Sequence, residues 1–190
     1  MERTYAEDQT FEQKDFAADG LPVTDYENCN FINSNFANAD LSKVNFSECS
    51  FTGCDLSLAN LNKTAFKDVK FNNCKLLGLH FHDCNEMLYA VDFNNCILNL
   101  SSFYKRKLKR TNFNNSSLQE VDFTEADLTS AIIDNCDLGR AIFEDTILEK
   151  ADLRTAYNYS IDPDKNRIKK AKFSIPGIIG LLDKYDIEID

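Results

Sequence analysis

Between positions 30 and 61 the chain reads NFINSNFANADLSKVNFSECSFTGCDLSLANL, and a large apolar residue returns at every fifth position: Phe31, Phe36, Leu41, Phe46, Phe51, Leu56 and Leu61. Two places before each stands a mostly small side chain (Cys29, Ser34, Ala39, Val44, Cys49, Cys54, Ala59), with a polar residue, usually Asp or Asn, between the two. A period of five fits neither regular element. On an α-helix five residues turn roughly 500°, so the marked residues step by about 140° and draw no stripe. On a plain strand an odd period sends alternate marked residues to opposite faces. A unit built of a short extended piece and a corner resolves the conflict. The central residue (position 0) and position −2 then share the inward side, position −1 points out, and positions +1 and +2 turn the chain. Ser42, Ser47, Thr52, Gly53, Ser57 and Asn62 fall at these corners, the residue types that turns select.

The pattern divides the chain. Residues 1–10 lack it and read as a lead-in. Central residues then run in one register from Phe11 to Phe81. The early units are irregular: Lys14 and Asp19 hold small-residue positions, and Gly20, Leu21 and Pro22 interrupt the chemistry, which suits a distorted first coil acting as a cap. After Phe81 the sequence HDCNEMLYAVDF delays the next central residues to Leu88 and Phe93. This predicts a two-residue insertion near 82–87, followed by a second register from Leu88 to Leu153. The repeat region is thus expected over 11–157 and a tail over 158–190. In the tail Asp162, Pro163 and Asp164 signal a turn, and Ile175, Ile178, Ile179 and Leu182 recur at helical spacing, with Pro176 suited to a first turn. The last six residues, from Tyr185, alternate like a short strand.

The units ANADL, GCDLS, LANLN, EADLT, NCDLG and KADLR resemble the pentapeptide-repeat family, whose motif is roughly A(D/N)LXX. The resemblance covers about Phe11 to Leu153. It implies an all-β fold, a right-handed quadrilateral β-helix with four units per coil and about seven coils, closed by a short C-terminal helical cap. At strand spacing of about 4.8 Å such a rod is roughly 35 Å long. Stacked this way, Phe31, Phe51, Phe71, Phe93 and Phe113 form one core ladder, and Cys54, Cys74 and Cys96 become vertical neighbours at position −2. Glu86 and Arg106 would stack at inward positions meant for small residues. Burying even paired charge is costly, so both are expected to turn outward at the bulge.

Composition narrows the function. The seven cysteines all fall at position −2, where a thiol behaves as a small buried hydrophobe rather than a disulfide or zinc ligand. A formal net charge of −10 disfavours direct binding to nucleic acid and permits the opposite relation, an acidic rod on a surface that receives DNA. No apolar run is long enough for a membrane span and the N-terminus has no signal-peptide character, so a cytoplasmic protein is expected. One basic cluster, Lys105, Arg106, Lys107, Lys109 and Arg110, stands in this acidic chain as a solvated edge or as a patch for a partner's carboxylates or phosphates. His80 and His82 flank Phe81 and so point outward, beside Asp83. Polar residues next to a bulge account for them more simply than a surface metal site. No nucleophile–base pair, phosphate loop or metal-spaced cysteine pair is present. A filled rod offers no pocket, so no catalytic, cofactor or metal site is assigned and the chain reads as a non-enzyme.

The tail, SIDPDKNRIKKAKFSIPGIIGLLDKYDIEI, is similar in layout to the C-termini of the microcin-immunity and quinolone-resistance pentapeptide proteins. That resemblance implies a homodimeric, DNA-mimicking rod that binds DNA gyrase or topoisomerase IV and protects it from poisons. Ile178, Ile179, Leu181 and Leu182 would carry the dimer contact. Two features depart from it: the insertion is only two residues, and the basic cluster breaks a uniformly negative surface. The competing expectation is a structural or scaffold module for another protein partner, since fold does not fix function.

Overall fold

A computed structural model describes residues 4–22 and 24–188. Its extended pieces are three or four residues long, each followed by a corner, and parallel pairing joins pieces one coil apart. Tyr5–Glu7, Asp25–Glu27, Asn45–Ser47 and Ala65–Lys67 form one four-stranded parallel sheet. Thr10–Glu12, Asn30–Ile32, Ser50–Thr52, Val69–Asn72, Val91–Asn94, Asn112–Asn114 and Ile132–Asp134 form a seven-stranded one. The other two sides are joined by single bridges, as in Asp15↔Asn35↔Asp55↔Lys75 and Ser102↔Asp122↔Ile142. Four sides per coil make the right-handed quadrilateral β-helix.

The corners explain how five residues close a side. At position +2 the backbone is left-handed coil after coil: Asn28, Asn33, Asn38, Asn73, Asn95, Asn115 and Asn135 all have φ between 49° and 60°. Asn tolerates this region better than most side chains, and Gly53 and Gly78 fill it without cost. Inside, the aromatic rings of successive coils stack. Phe31–Phe51, Phe51–Phe71, Phe71–Phe93 and Phe93–Phe113 lie 4.7, 5.0, 5.5 and 5.1 Å apart between centroids. Phe81–Phe103 and Phe103–Phe123, at 4.6 and 5.5 Å, make a second column.

Position −2 adds a polar ladder. Buried thiols and hydroxyls there donate to the carbonyl of the central residue one coil earlier: Cys54 to Phe31 O, Cys74 to Phe51 O and Cys96 to Phe71 O at 3.4 Å each, and Thr64 to Leu41 O at 2.7 Å. All seven cysteines are free and buried.

Both ends differ from the expected boundaries. The ladder starts at Tyr5–Glu7, within the expected lead-in, whose residues 1–3 lie outside the described part. Asp15 caps a single helical turn, Phe16–Asp19, in the irregular first coil. Pairing also continues past Leu153 through Ile147↔Arg167 and Asp152↔Lys172. The helical cap is tighter than an α-helix, two 3-10 turns at Pro176–Leu181 and Asp183–Tyr185. Residues 186–188 form no strand; the remainder of that expected alternation, residues 189 and 190, lies outside the described part.

Candidate partner-binding site

Past the irregular first coil, the outer wall of the described residues is interrupted at residues 84–90. The first register runs through the break: Asn85 N–H donates to Thr64 O at 2.8 Å, the bond a −1 residue makes one coil on. Glu86 therefore takes the central place, and Leu88, with φ +57°, is a corner. Val91 pairs with Val69 and opens the new register, which makes Tyr89 and Ala90 the two additional residues. The assignment of Leu88 as a central residue is thus corrected: its side chain is 71% exposed. An acidic side chain cannot fill the core position, so Glu86 stays in solvent and the backbone swings outward.

Arg106 fills the space this leaves. Its expected outward orientation is wrong: it is 3% exposed. Nη1 donates to Cys84 O at 2.9 Å and Nη2 to Asn85 O at 3.1 Å, while the guanidinium lies 4.1 Å from the centroid of the Tyr89 ring. Two charge-assisted hydrogen bonds and a cation–π contact offset the burial that was expected to expel it. Glu86 plays no part, so the buried charge is held by backbone and ring rather than by an ion pair. Burial pushes the Tyr89 phenol well up and the Cys84 thiol up to about 12. Arg106 Nε and the Tyr89 hydroxyl have no hydrogen-bond partner. The loop is thereby pinned from beneath.

What it displays is apolar. Met87 and Leu88 are 69% and 71% exposed, and the Asn85 side chain, accepting from Met87 N–H at 2.9 Å, fixes the turn that presents them. Beside the loop runs the basic cluster. Lys105 pairs with Glu125 at 3.5 Å and Lys109 with Asp127 at 3.1 Å. Lys107 and Arg110 make no salt bridge among the described residues. With Lys70, Asp92 and Tyr89, the residues Lys107, Lys109 and Arg110 line a groove of about 240 Å³. The structure thus splits the cluster: Arg106 is an internal clamp and its four neighbours face outward.

A second exposed apolar surface lies at the C-terminal end. The 3-10 turns lie across Tyr159, where a β-carbon on Gly180 would overlap the Tyr159 carbonyl oxygen and one on Gly177 its hydroxyl. Gly180 O accepts from Ile161 N–H at 2.8 Å, and Lys184 bridges Asp162, at 2.6 Å, and Asp164. Ile178 and Ile179 are 44% and 52% exposed, Leu181 packs on the core, and Leu182 is half-buried. Ile175, Tyr185 and Ile187 extend the exposed set.

Charge is distributed unevenly. One outward column passes from acid to base through Glu7, Glu27, Ser47 and Lys67. Another is mostly neutral amide: Asn72, Asn94 and Asn114, then Asp134. No acidic strip runs the length of either. No helix is long and apolar enough to cross a membrane among the described residues.

The sequence matches the family model for the pentapeptide repeat region over residues 24–87, and the one for pentapeptide repeats in eight copies over 107–145 and 122–157. No curated protein matches it. Among solved structures it is similar to HetL, a pentapeptide repeat protein involved in heterocyst differentiation regulation from the cyanobacterium Nostoc sp. strain PCC 7120. The identity is 17% and the TM-score 0.61, over 91% of this chain and 85% of that one. It is also similar to a trypsin-treated variant of QnrB1, a plasmid-mediated fluoroquinolone resistance protein. There the identity is 18% and the TM-score 0.50, over 99% of this chain and 98% of that one. Likeness at these identities establishes fold. With repeat matches over 24–87 and 107–157, and stacked four-sided coils among the described residues, the chain belongs to the pentapeptide-repeat family.

Proposed function

We propose that the protein is a non-enzymatic solenoid that binds a protein partner through the loop at 84–90 and the basic row beside it. One observation carries this reading: an internal Arg106 clamp holds Met87 and Leu88 exposed next to Lys105, Lys107, Lys109 and Arg110. An apolar centre with a charged rim is the usual composition of a protein-binding patch. The partner's matching surface is an apolar pocket edged by carboxylates. The filled Phe and Leu interior supports a non-catalytic role, and seven free buried thiols suit a reducing, cytoplasmic compartment. The test is affinity capture with the wild type and with Met87→Asp, Leu88→Asp and Lys107→Glu/Arg110→Glu. A partner retained by the wild type and lost with all three supports the reading; retention by all three refutes it.

A second reading takes DNA gyrase or topoisomerase IV as the target, bound by a dimeric DNA mimic. The exposed Ile175, Ile178, Ile179, Tyr185 and Ile187 favour it, since they offer the apolar end that a two-fold rod needs. The acid-to-base column and the amide column weigh against mimicry. Gyrase supercoiling assays decide: inhibition, or rescue from a fluoroquinolone, at micromolar protein and weakened by salt establishes this target. No effect leaves the first reading standing.

A further inference from the structure

The turn just before the loop gathers three electron-pair donors. Phe81–Asp83 form a single 3-10 turn, and Phe81 is fully buried against Phe103. With Phe81 held in the core, His80 and His82 stand on the outside together, their rings stacked at 5.1 Å. Asp83 completes the group: His82 Nε2 lies 3.5 Å from Oδ1, and His80 Nδ1 lies 3.9 Å from Oδ2. The backbone beneath is fixed by Lys63 N–H to Asp83 O at 2.8 Å, Cys84 N–H to Phe81 O at 3.1 Å, and the bridge between His80 and Ser102.

Two imidazole nitrogens and a carboxylate face one another with no hydrogen bond among them. His82 Nδ1 is buried and without a hydrogen-bond partner, so the accessible nitrogen of that ring is the one turned to Asp83. One ligand atom from each of the three groups lies within 4.8 Å of the others, close enough for a single cation to be shared among them. A tetrahedral ion with ligands at about 2.1 Å separates neighbouring ligand atoms by about 3.4 Å. The 3.5 Å contact already has this span, and the 3.9 Å contact reaches it with a small rotation of the exposed His80 ring. Two imidazoles and one carboxylate suit borderline divalent ions of the zinc, copper and nickel class rather than calcium or magnesium.

We propose that His80, His82 and Asp83 bind one divalent transition-metal ion, with solvent in the remaining positions. The site stands on a rigid turn, so binding requires little ordering of the chain. Three ligands leave a position open, and it lies at the root of the loop that displays Met87 and Leu88. The proposal is independent of the partner reading above.

The experiment is calorimetric titration of the full chain with zinc chloride near neutral pH, alongside His80→Asn, His82→Asn, Asp83→Asn and the triple variant. The wild type is expected to bind one equivalent at micromolar affinity. Each single variant should weaken binding about tenfold or more, with melting temperatures of the metal-free His80→Asn and Asp83→Asn proteins unchanged because those two side chains are exposed. Cobalt absorption on the wild type separates this site from the thiols: weak visible bands without a sulfur-to-cobalt band in the near ultraviolet are expected. Three results would overturn the proposal: no saturable zinc binding, binding unaltered in the triple variant, or a sulfur-to-cobalt band that accounts for all bound metal.

Discussion

At the scale of single residues, the interior is chosen for hydrogen bonding as much as for size. Cys, Ser and Thr recur at position −2 because each fits a small space and also donates to the central carbonyl one coil away. Sequence reading recognised the small space and missed the donor, since both demands select the same side chains. Replacing Thr64, fully buried and donating to Leu41 O, by Val keeps the volume and removes the donor. Stability should fall by about 1 kcal/mol in urea unfolding. Arg106 is the opposite case. A buried guanidinium contradicts a sound general rule, and the two carbonyls that compensate it are free to accept because the wall is broken one coil earlier. Arg106→Ala should cost about 3 kcal/mol through two lost charge-assisted bonds. Arg106→Lys should recover less than half of that, because one ammonium cannot bracket both Cys84 O and Asn85 O.

The thiols also give a pH dependence. Burial pushes Cys49 and Cys84 up to about 12 and Cys136 up to about 11, whereas an unfolded cysteine titrates near ~8.5. A raised folded value means stability that is complete below the unfolded one. Above it the unfolded chain releases protons that the folded chain keeps, so stability falls. Urea midpoints should therefore drop between about pH 8.5 and 11. On the acid side, the Arg154 side chain bonded to Asp152 holds that carboxyl down at about 2. Its contribution is present above the ordinary carboxylate value of about 3.9 and is lost as pH falls toward 2. Because Arg154 is largely exposed, this acid-side loss is small.

At the scale of elements, most of the solenoid was legible because its period allows no helix or plain strand. Four sides per coil came from resemblance, and the two sheets and the bridges carry it out. Misreadings cluster where the period slips. Leu88 looked like a central residue because it is large and apolar. Counting in fives from Phe81 puts Glu86 at the centre and Leu88 at a corner, and the loop follows from that. Past Leu153 the units containing Ile168 and Phe173 were masked by the Asp162–Pro163–Asp164 turn, yet pairing carries on to Lys172. The tail's spacing suited an α-helix, but Gly177 and Gly180 press on Tyr159 and the chain winds into the tighter 3-10 form. Gly180→Ala should lift this segment from the last coil. Limited proteolysis would detect the release as faster cleavage after residue 174, with the melting of the central coils little changed.

At the scale of the whole molecule, the surface is specialised by side. One outward column turns from acidic to basic between Glu7 and Lys67, a second is dominated by amides from Asn72 to Asn114, and the pinned loop with exposed Met87 and Leu88 interrupts the wall. Net charge alone does not say where the charges lie; the stacked columns place them. The apolar C-terminal end offers a second contact. If it joins two copies, Ile178→Glu/Ile179→Glu should convert a dimer to a monomer in sedimentation equilibrium without lowering the melting temperature.

If the loop is the face that meets a partner, a reactive group placed on it will be joined to that partner. Site-specific photocrosslinking in cells tests this directly, with the photoreactive residue placed at Met87 in one protein and at Asn115, on the amide-rich side, in another. The expected result is a discrete heteromeric adduct from position 87, absent from position 115 and abolished by Lys107→Glu/Arg110→Glu. Equal adducts from both positions, or none from position 87, would contradict it.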